Sequence, residues 1–246
     1  MTSMRKAAAT VTVAIAVLAG GTVVATPASS ATTTKTVRIG TSVQGRALVA
    51  IHRWAPGATK KVLVIGNMHG DEKAGLKVIE RLKTRAVPAN VDLWLIPSIN
   101  PDGTRVGTRT NARRVDLNRN FPHNWRYANR GTSKYSGPRA ASEPETRALM
   151  AFVTRHKPRT TIVLHQPLYG VDSYRAKSMT LVRALARETA MPVKSFACWG
   201  TCRGTFTGWH NANTPGRAVT VEMSRTVSTW RLDKIARAAL VVGSAY

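Results

Sequence analysis

The chain has 246 residues, enough for one large α/β domain with a sizeable core, and carries 37 Lys and Arg against 12 Asp and Glu. A formal charge of +25 usually points to nucleic acid, yet the basic residues are scattered and form no arm or aromatic-interleaved patch, so no nucleic-acid partner is expected. Beyond the first two dozen residues no apolar run is long enough to cross a bilayer, which excludes a second membrane span.

The first 31 residues read as a secretory signal peptide: Arg5 and Lys6, an apolar stretch over 7–24, then small residues ending at Ala31. Thr10, Thr12, Gly20 and Gly21 interrupt the apolar stretch, so no stable membrane anchor is expected. Cleavage is placed after Ala31, with Ala25 or Ala28 as alternatives, leaving residues 32–246 as one domain with a charge of +23. Outside a cell such a charge favours anionic wall polymers and membrane surfaces. The chain is expected to act as a monomer.

In chain order, residues 32–36 read as a polar tail, and 37–43 and 47–54 as a hairpin joined at Gln44-Gly45. The β-branched run 62–65 is a buried strand that breaks at Gly66 and restarts as a helix over 74–84. Between them, IGNMHGDEKAG presents His69 and Glu72 on a turn, where an imidazole and a carboxylate can reach one Zn²⁺ together. A further buried strand covers 91–96. Residues 97–138, rich in Asn, Arg, Gly and Pro, read as a long functional loop. Ser142-Glu-Pro-Glu145 has a capping-box pattern and opens a helix that stops before Pro158. A strand over 160–164 delivers His165 at its end. A helix over 175–189, a short strand over 193–196, a Gly-rich stretch to Gly216, a strand over 218–223 carrying Glu222 and a last helix capped by Ser228 complete the chain. Alternating strands and helices predict a three-layer α/β/α domain with a mixed, largely parallel twisted sheet. Reactive groups then collect at the carboxyl ends of its strands.

Two histidines and one glutamate make a catalytic zinc set, and His165 is the expected third ligand beside His69 and Glu72. Glu222 sits in an apolar strand, where a carboxylate is costly without a task or partner; that suits the base that peptide hydrolysis needs. The loop run from Arg109 to Pro122 holds forked guanidinium groups suited to carboxylates, and Asp116 can orient a metal-bound imidazole. Cys198 and Cys202, four apart in an exported chain, read as a local disulfide.

These motifs, GNMHGDE, NPDG at 100–103, R-x-N…VDLNRNFP, His165 after its strand and VEM, occur in one order over most of the chain. Together they resemble the zinc carboxypeptidases of the metallocarboxypeptidase superfamily. The resemblance implies one Zn²⁺ held by His69, Glu72 and His165, with Glu222 as general base and Arg109 as polariser of the carbonyl and oxyanion. It implies Asn118 and Arg119 as the clamp for a terminal carboxylate, and Asp116 as the partner of His69. The family's active-site tyrosine has no counterpart in the expected loop, since Tyr169 and Tyr174 follow His165 instead.

No activation segment and no appended β-domain are expected, and the short form looks like the bacterial murein-peptide amidases, which cut γ-D-glutamyl–diaminopimelate bonds in wall peptides. A cell-wall peptide is thus the expected substrate, and Arg203 is the candidate for the second carboxylate of diaminopimelate. The alternatives are an N-acyl amino acid deacylase of the same superfamily and a non-catalytic, basic wall-binding protein.

Overall fold

A computed structural model describes residues 32–197 and 202–246. The signal-peptide expectation over 1–31 and Cys198 of the expected disulfide lie outside the described residues.

Eight strands form one sheet: β1 (Thr33–Thr41), β2 (Ala47–Trp54), β3 (Lys60–Ile65), β4 (Val91–Ile96), β5 (Thr160–His165), β6 (Leu168–Asp172), β7 (Val193–Lys194) and β8 (Arg217–Ser224). Six helices flank it: α1 (Ala74–Thr84), α2 (Pro101–Val106), α3 (Pro144–His156), α4 (Met179–Thr189), α5 (Phe206–Asn213) and α6 (Thr229–Ala245). The order across the sheet is β1-β2-β4-β3-β5-β8-β6-β7, as a mixed sheet requires. The inner strands β4, β3, β5 and β8 run parallel, while β2 and β6 bound that block antiparallel.

Of the parallel strands, β3, β4 and β5 are buried on both faces along most of their length, whereas β8 alternates, with Thr220, Glu222 and Ser224 only half-buried. Successive side chains nonetheless divide the core. Val62, Val64, Leu93, Ile162 and Val221 pack with α1, α4 and α6 on one face. Leu63, Ile65, Trp94, Ile96 and Val163 pack with α3, α5 and the buried loop side chains Met68, Leu117 and Phe121 on the other.

From β3, α1 leads to β4 on one side, and α3 leads to β5 on the other. The crevice at the tips of β3 and β5 is therefore a topological switch point, where open α/β sheets place their ligands.

Several boundaries depart from the sequence reading. The expected polar tail is strand: β1 starts at Thr33, because its β-branched threonines pair along β2 even with their side chains in solvent. The capping box at 142–145 does not form. Glu143 is the N-cap without a side-chain bond, Ser142 donates to Glu143 (2.7 Å), and Glu145 accepts from the Val43 N–H (2.9 Å). The helix expected from 175 begins at Met179 because Ser178 caps it. Ser228 caps α6 as expected. Three elements were not anticipated: β6, α5 and the short α2 over PDGTRV.

Candidate active site

The turn between β3 and α1 is shaped by two close backbone approaches. A Cβ on Gly75 would lie 1.6 Å from the Gly66 carbonyl oxygen, and one on Gly70 would lie 2.0 Å from the Gly103 carbonyl carbon. Only glycine permits either approach. They fold 66–75 into a tight turn against α2, with Asn67 donating to the His69 (2.6 Å) and Glu72 (3.1 Å) carbonyls. His69 and Glu72 thereby face the tip of β5. In the register of β5 and β8, His165 lies directly beside Glu222.

His69, Glu72 and His165 are all buried, and their ligand atoms lie within 4.8 Å of one another. His69 Nδ1 is 2.8 Å from Glu72 Oε1, and His165 Nδ1 is 2.8 Å from Glu72 Oε2. The far nitrogen of His69, Nε2, faces Asp116 Oδ1 at 3.0 Å. A carboxylate at Nε2 favours the proton there and leaves Nδ1 as a lone pair turned toward Glu72 and His165.

Burial alone would depress the pKa of His69, but the Asp116 and Glu72 charges raise it to about 9. Burial likewise would raise Glu72, yet the two imidazoles hold it well below the usual carboxylate range. A pocket that so strongly favours a positive charge among two imidazoles and a carboxylate suits a divalent cation. The donor set, two nitrogens and a carboxylate beside the cleft, is one that would suit a catalytic zinc.

Asp116 organises the surroundings. Fully buried, it accepts from the Asn118 N–H (2.9 Å) as well as from His69 through Oδ1, while Oδ2 accepts from Arg109 Nε (3.0 Å) and Nη2 (2.9 Å). Arg109 also donates to Glu72 Oε1 (3.2 Å). One carboxylate thus fixes an imidazole, a guanidinium and the start of the 3₁₀ turn Leu117–Arg119. Within that turn Asn118 accepts from the Phe206 N–H of α5 (2.9 Å), and Arg119 donates to the Asn118 carbonyl (2.7 Å).

Asp116 lies behind a cleft of about 750 Å³ whose lining includes His69, Glu72, Arg109, Asn118, Arg119, His165 and Glu222. Burial holds the Glu222 carboxyl above its ordinary range, with His165 opposing that shift and the Glu72 charge adding to it. Tyr174 lines the cleft, whereas the Tyr169 hydroxyl accepts from Arg231 (3.0 Å) away from it. Arg203 is exposed between Cys202 and Gly204, both of which line the cleft, but is not itself part of the lining. Sequence reasoning missed Asp172, Thr207 and Thr220 in the lining. Asp172 and Thr207 lie on elements that were not anticipated, β6 and α5.

Comparison with known proteins gives concordant matches. The model of the zinc carboxypeptidase family matches residues 24–174, more than half of the chain. Murein peptide amidase A of Escherichia coli K12 is 30% identical over 186 residues, covering 69% of this chain and 76% of that protein. The crystal structure of the murein-tripeptide amidase from Escherichia coli O157 superposes with a TM-score of 0.71 at 26% identity, covering 85% of this chain and 91% of the other. Carboxypeptidase A from Helicoverpa armigera shares the fold, with a TM-score of 0.67 at 20% identity over 86% of this chain and 68% of its own.

Proposed function

Since the chain belongs to the zinc carboxypeptidase family, we propose that it is an exported carboxypeptidase-type amidase. Its substrate is a cell-wall peptide, cut at the γ-D-glutamyl–diaminopimelate bond. The observation that carries this reading is the convergence of His69, Glu72 and His165 with Glu222, Arg109, Asn118 and Arg119 in one cleft. The likeness to murein peptide amidases supports the choice of wall peptide. The charge of +23 left after residues 1–31 supports concentration on anionic wall polymers, and the apolar stretch over 7–24 supports export.

Held by His69, Glu72 and His165, Zn²⁺ supplies Lewis acidity toward a carbonyl and a lowered pKa for water. The protein's own groups do the rest. Glu222 takes a proton from the attacking water at its carboxylate and returns it to the departing nitrogen. Its raised pKa suits a group that must both accept and give up that proton. Arg109, locked by Asp116 and Glu72, offers a fixed positive charge to the oxygen that becomes negative as the carbonyl is attacked. Asn118 and Arg119 receive the free carboxylate of the residue that leaves. Arg203, on the rim, is the group offered to that residue's second carboxylate. Cys198 and Cys202 form the local disulfide proposed from their spacing.

A terminal carboxylate clamp makes the enzyme an exopeptidase, and that is testable. Removing one partner of a buried charge pair costs roughly 2–5 kcal/mol. Amidating the carboxylate beside the scissile bond should therefore lower kcat/KM by about 30-fold or more. Arg119→Ala should weaken the acid substrate strongly and the amide little, collapsing the difference. Equal rates for acid and amide in the wild type would point instead to an endopeptidase or deacylase site.

A further inference from the structure

The cleft is rich in cationic and neutral donors, yet one wall carries a carboxylate with no Lys or Arg within salt-bridge distance among the described residues. Asp172, on β6, lines the cleft. Its Oδ1 accepts from the Tyr174 (2.8 Å) and Phe196 (3.0 Å) N–H groups. Its Oδ2 has no hydrogen-bond partner, and no Lys or Arg lies within 4 Å of it, among the described residues. Lys194, its register neighbour on β7, carries its ammonium toward the Tyr169 ring instead, 5.9 Å from the ring centre. Burial lifts the Asp172 carboxyl above its ordinary range, with the Tyr174 and Phe196 N–H groups and the His165 imidazole opposing the shift.

The register fixes where this carboxylate stands. Gly170 of β6 opposes Glu222 of β8, and Val171 opposes Val221. Side chains two apart on a strand share a face, so Asp172 lies on the same face as Glu222, about 7 Å further along the sheet. A residue whose nitrogen departs beside Glu222 would send its own side chain along that wall.

We propose that Asp172 selects the substrate by accepting an ammonium group carried at the end of the leaving residue's side chain. The inference rests on the reading of this cleft as a peptidase site. It adds to that reading a positive group to be recognised, where Arg119 and Arg203 answer only to carboxylates. Without the ammonium, the Asp172 carboxylate is left desolvated and unpaired, and that cost falls on the poorer substrate.

The test uses the zinc-loaded protein and two ligand pairs. One pair is L-Ala-γ-D-Glu-meso-diaminopimelate and the same peptide ending in 2-aminopimelate, which keeps both carboxylates and lacks only the distal amine. The other pair is the two free amino acids, measured by equilibrium binding. Wild type should favour the amine-bearing member of each pair by about 30-fold or more. Asp172→Asn keeps an Oδ1 acceptor for the Tyr174 and Phe196 N–H groups. It should therefore retain zinc content and melting temperature while losing the preference in both pairs. Equal handling of the two members by wild type overturns the assignment, and so does a preference that survives in Asp172→Asn. If neither peptide is cut but the free amino acids are still discriminated, the proposed reaction falls and the role of Asp172 stands.

Discussion

Glu222→Gln should bind zinc and substrate as wild type does and turn over about 10²–10⁴-fold more slowly, the usual worth of a positioned general base. The amide is nearly the same size as the carboxylate, and its oxygen can still accept from the Leu168 N–H, which lies 3.5 Å from Glu222 Oε2. The register that sets Glu222 beside His165 is made by backbone, so it survives the change. What is lost is the ability to take a proton from water and return it to the leaving nitrogen. The effect therefore belongs in kcat, with KM nearly unchanged. A kcat within about tenfold of wild type, ~1.4 kcal/mol on the barrier, would assign the base elsewhere.

His165→Ala should cost most of the bound zinc and essentially all activity. Loss of the groups that merely orient metal ligands already lowers metal affinity by about 10–100-fold, and removing a ligand should do at least that. The fold should remain, because β5 is held through its backbone by β3 and β8 and its apolar side chains are untouched. Glu72 Oε2 would keep the Gln166 N–H (3.1 Å) after losing the imidazole. Metal analysis after dialysis reads the result directly. One zinc per chain in this variant would remove His165 from the ligand set.

The parts of the site that were legible in the sequence share a physical cause. His69 and Glu72 are three apart on one turn, so their convergence is a local matter that spacing alone reveals. His165 and Glu222 each end or interrupt an apolar strand, where a polar group stands out against its neighbours. Their mutual register was not legible. β5 and β8 are separated by β6, α4, β7 and α5, and strand order across a sheet is set by tertiary packing. The pairing of Asp116 with His69 was expected and is present; that the same carboxylate also holds Arg109 and the Asn118 N–H needed coordinates.

The missed elements failed for local reasons. α5 reads FTGWHNAN, with Gly and two Asn that form helix poorly. The Thr205 side chain accepting from Gly208 (3.1 Å), and buried Phe206 and Trp209 at helical spacing, were the signals available. α2 carried an Asn N-cap, Pro at its first position and Gly107 at its end, but its six residues show no apolar period. β6 follows His165 after only two residues and contains Gly170, so it read as loop. Asp172 went unseen with it.

The most direct measurement is mass spectrometry of L-Ala-γ-D-Glu-meso-diaminopimelate incubated with the zinc-loaded mature protein, with Glu222→Gln in parallel. The expected result is release of free diaminopimelate and the dipeptide L-Ala-D-Glu by the wild type alone. An intact tripeptide with wild type, or the same products at the same rate from Glu222→Gln, would contradict the proposed reaction.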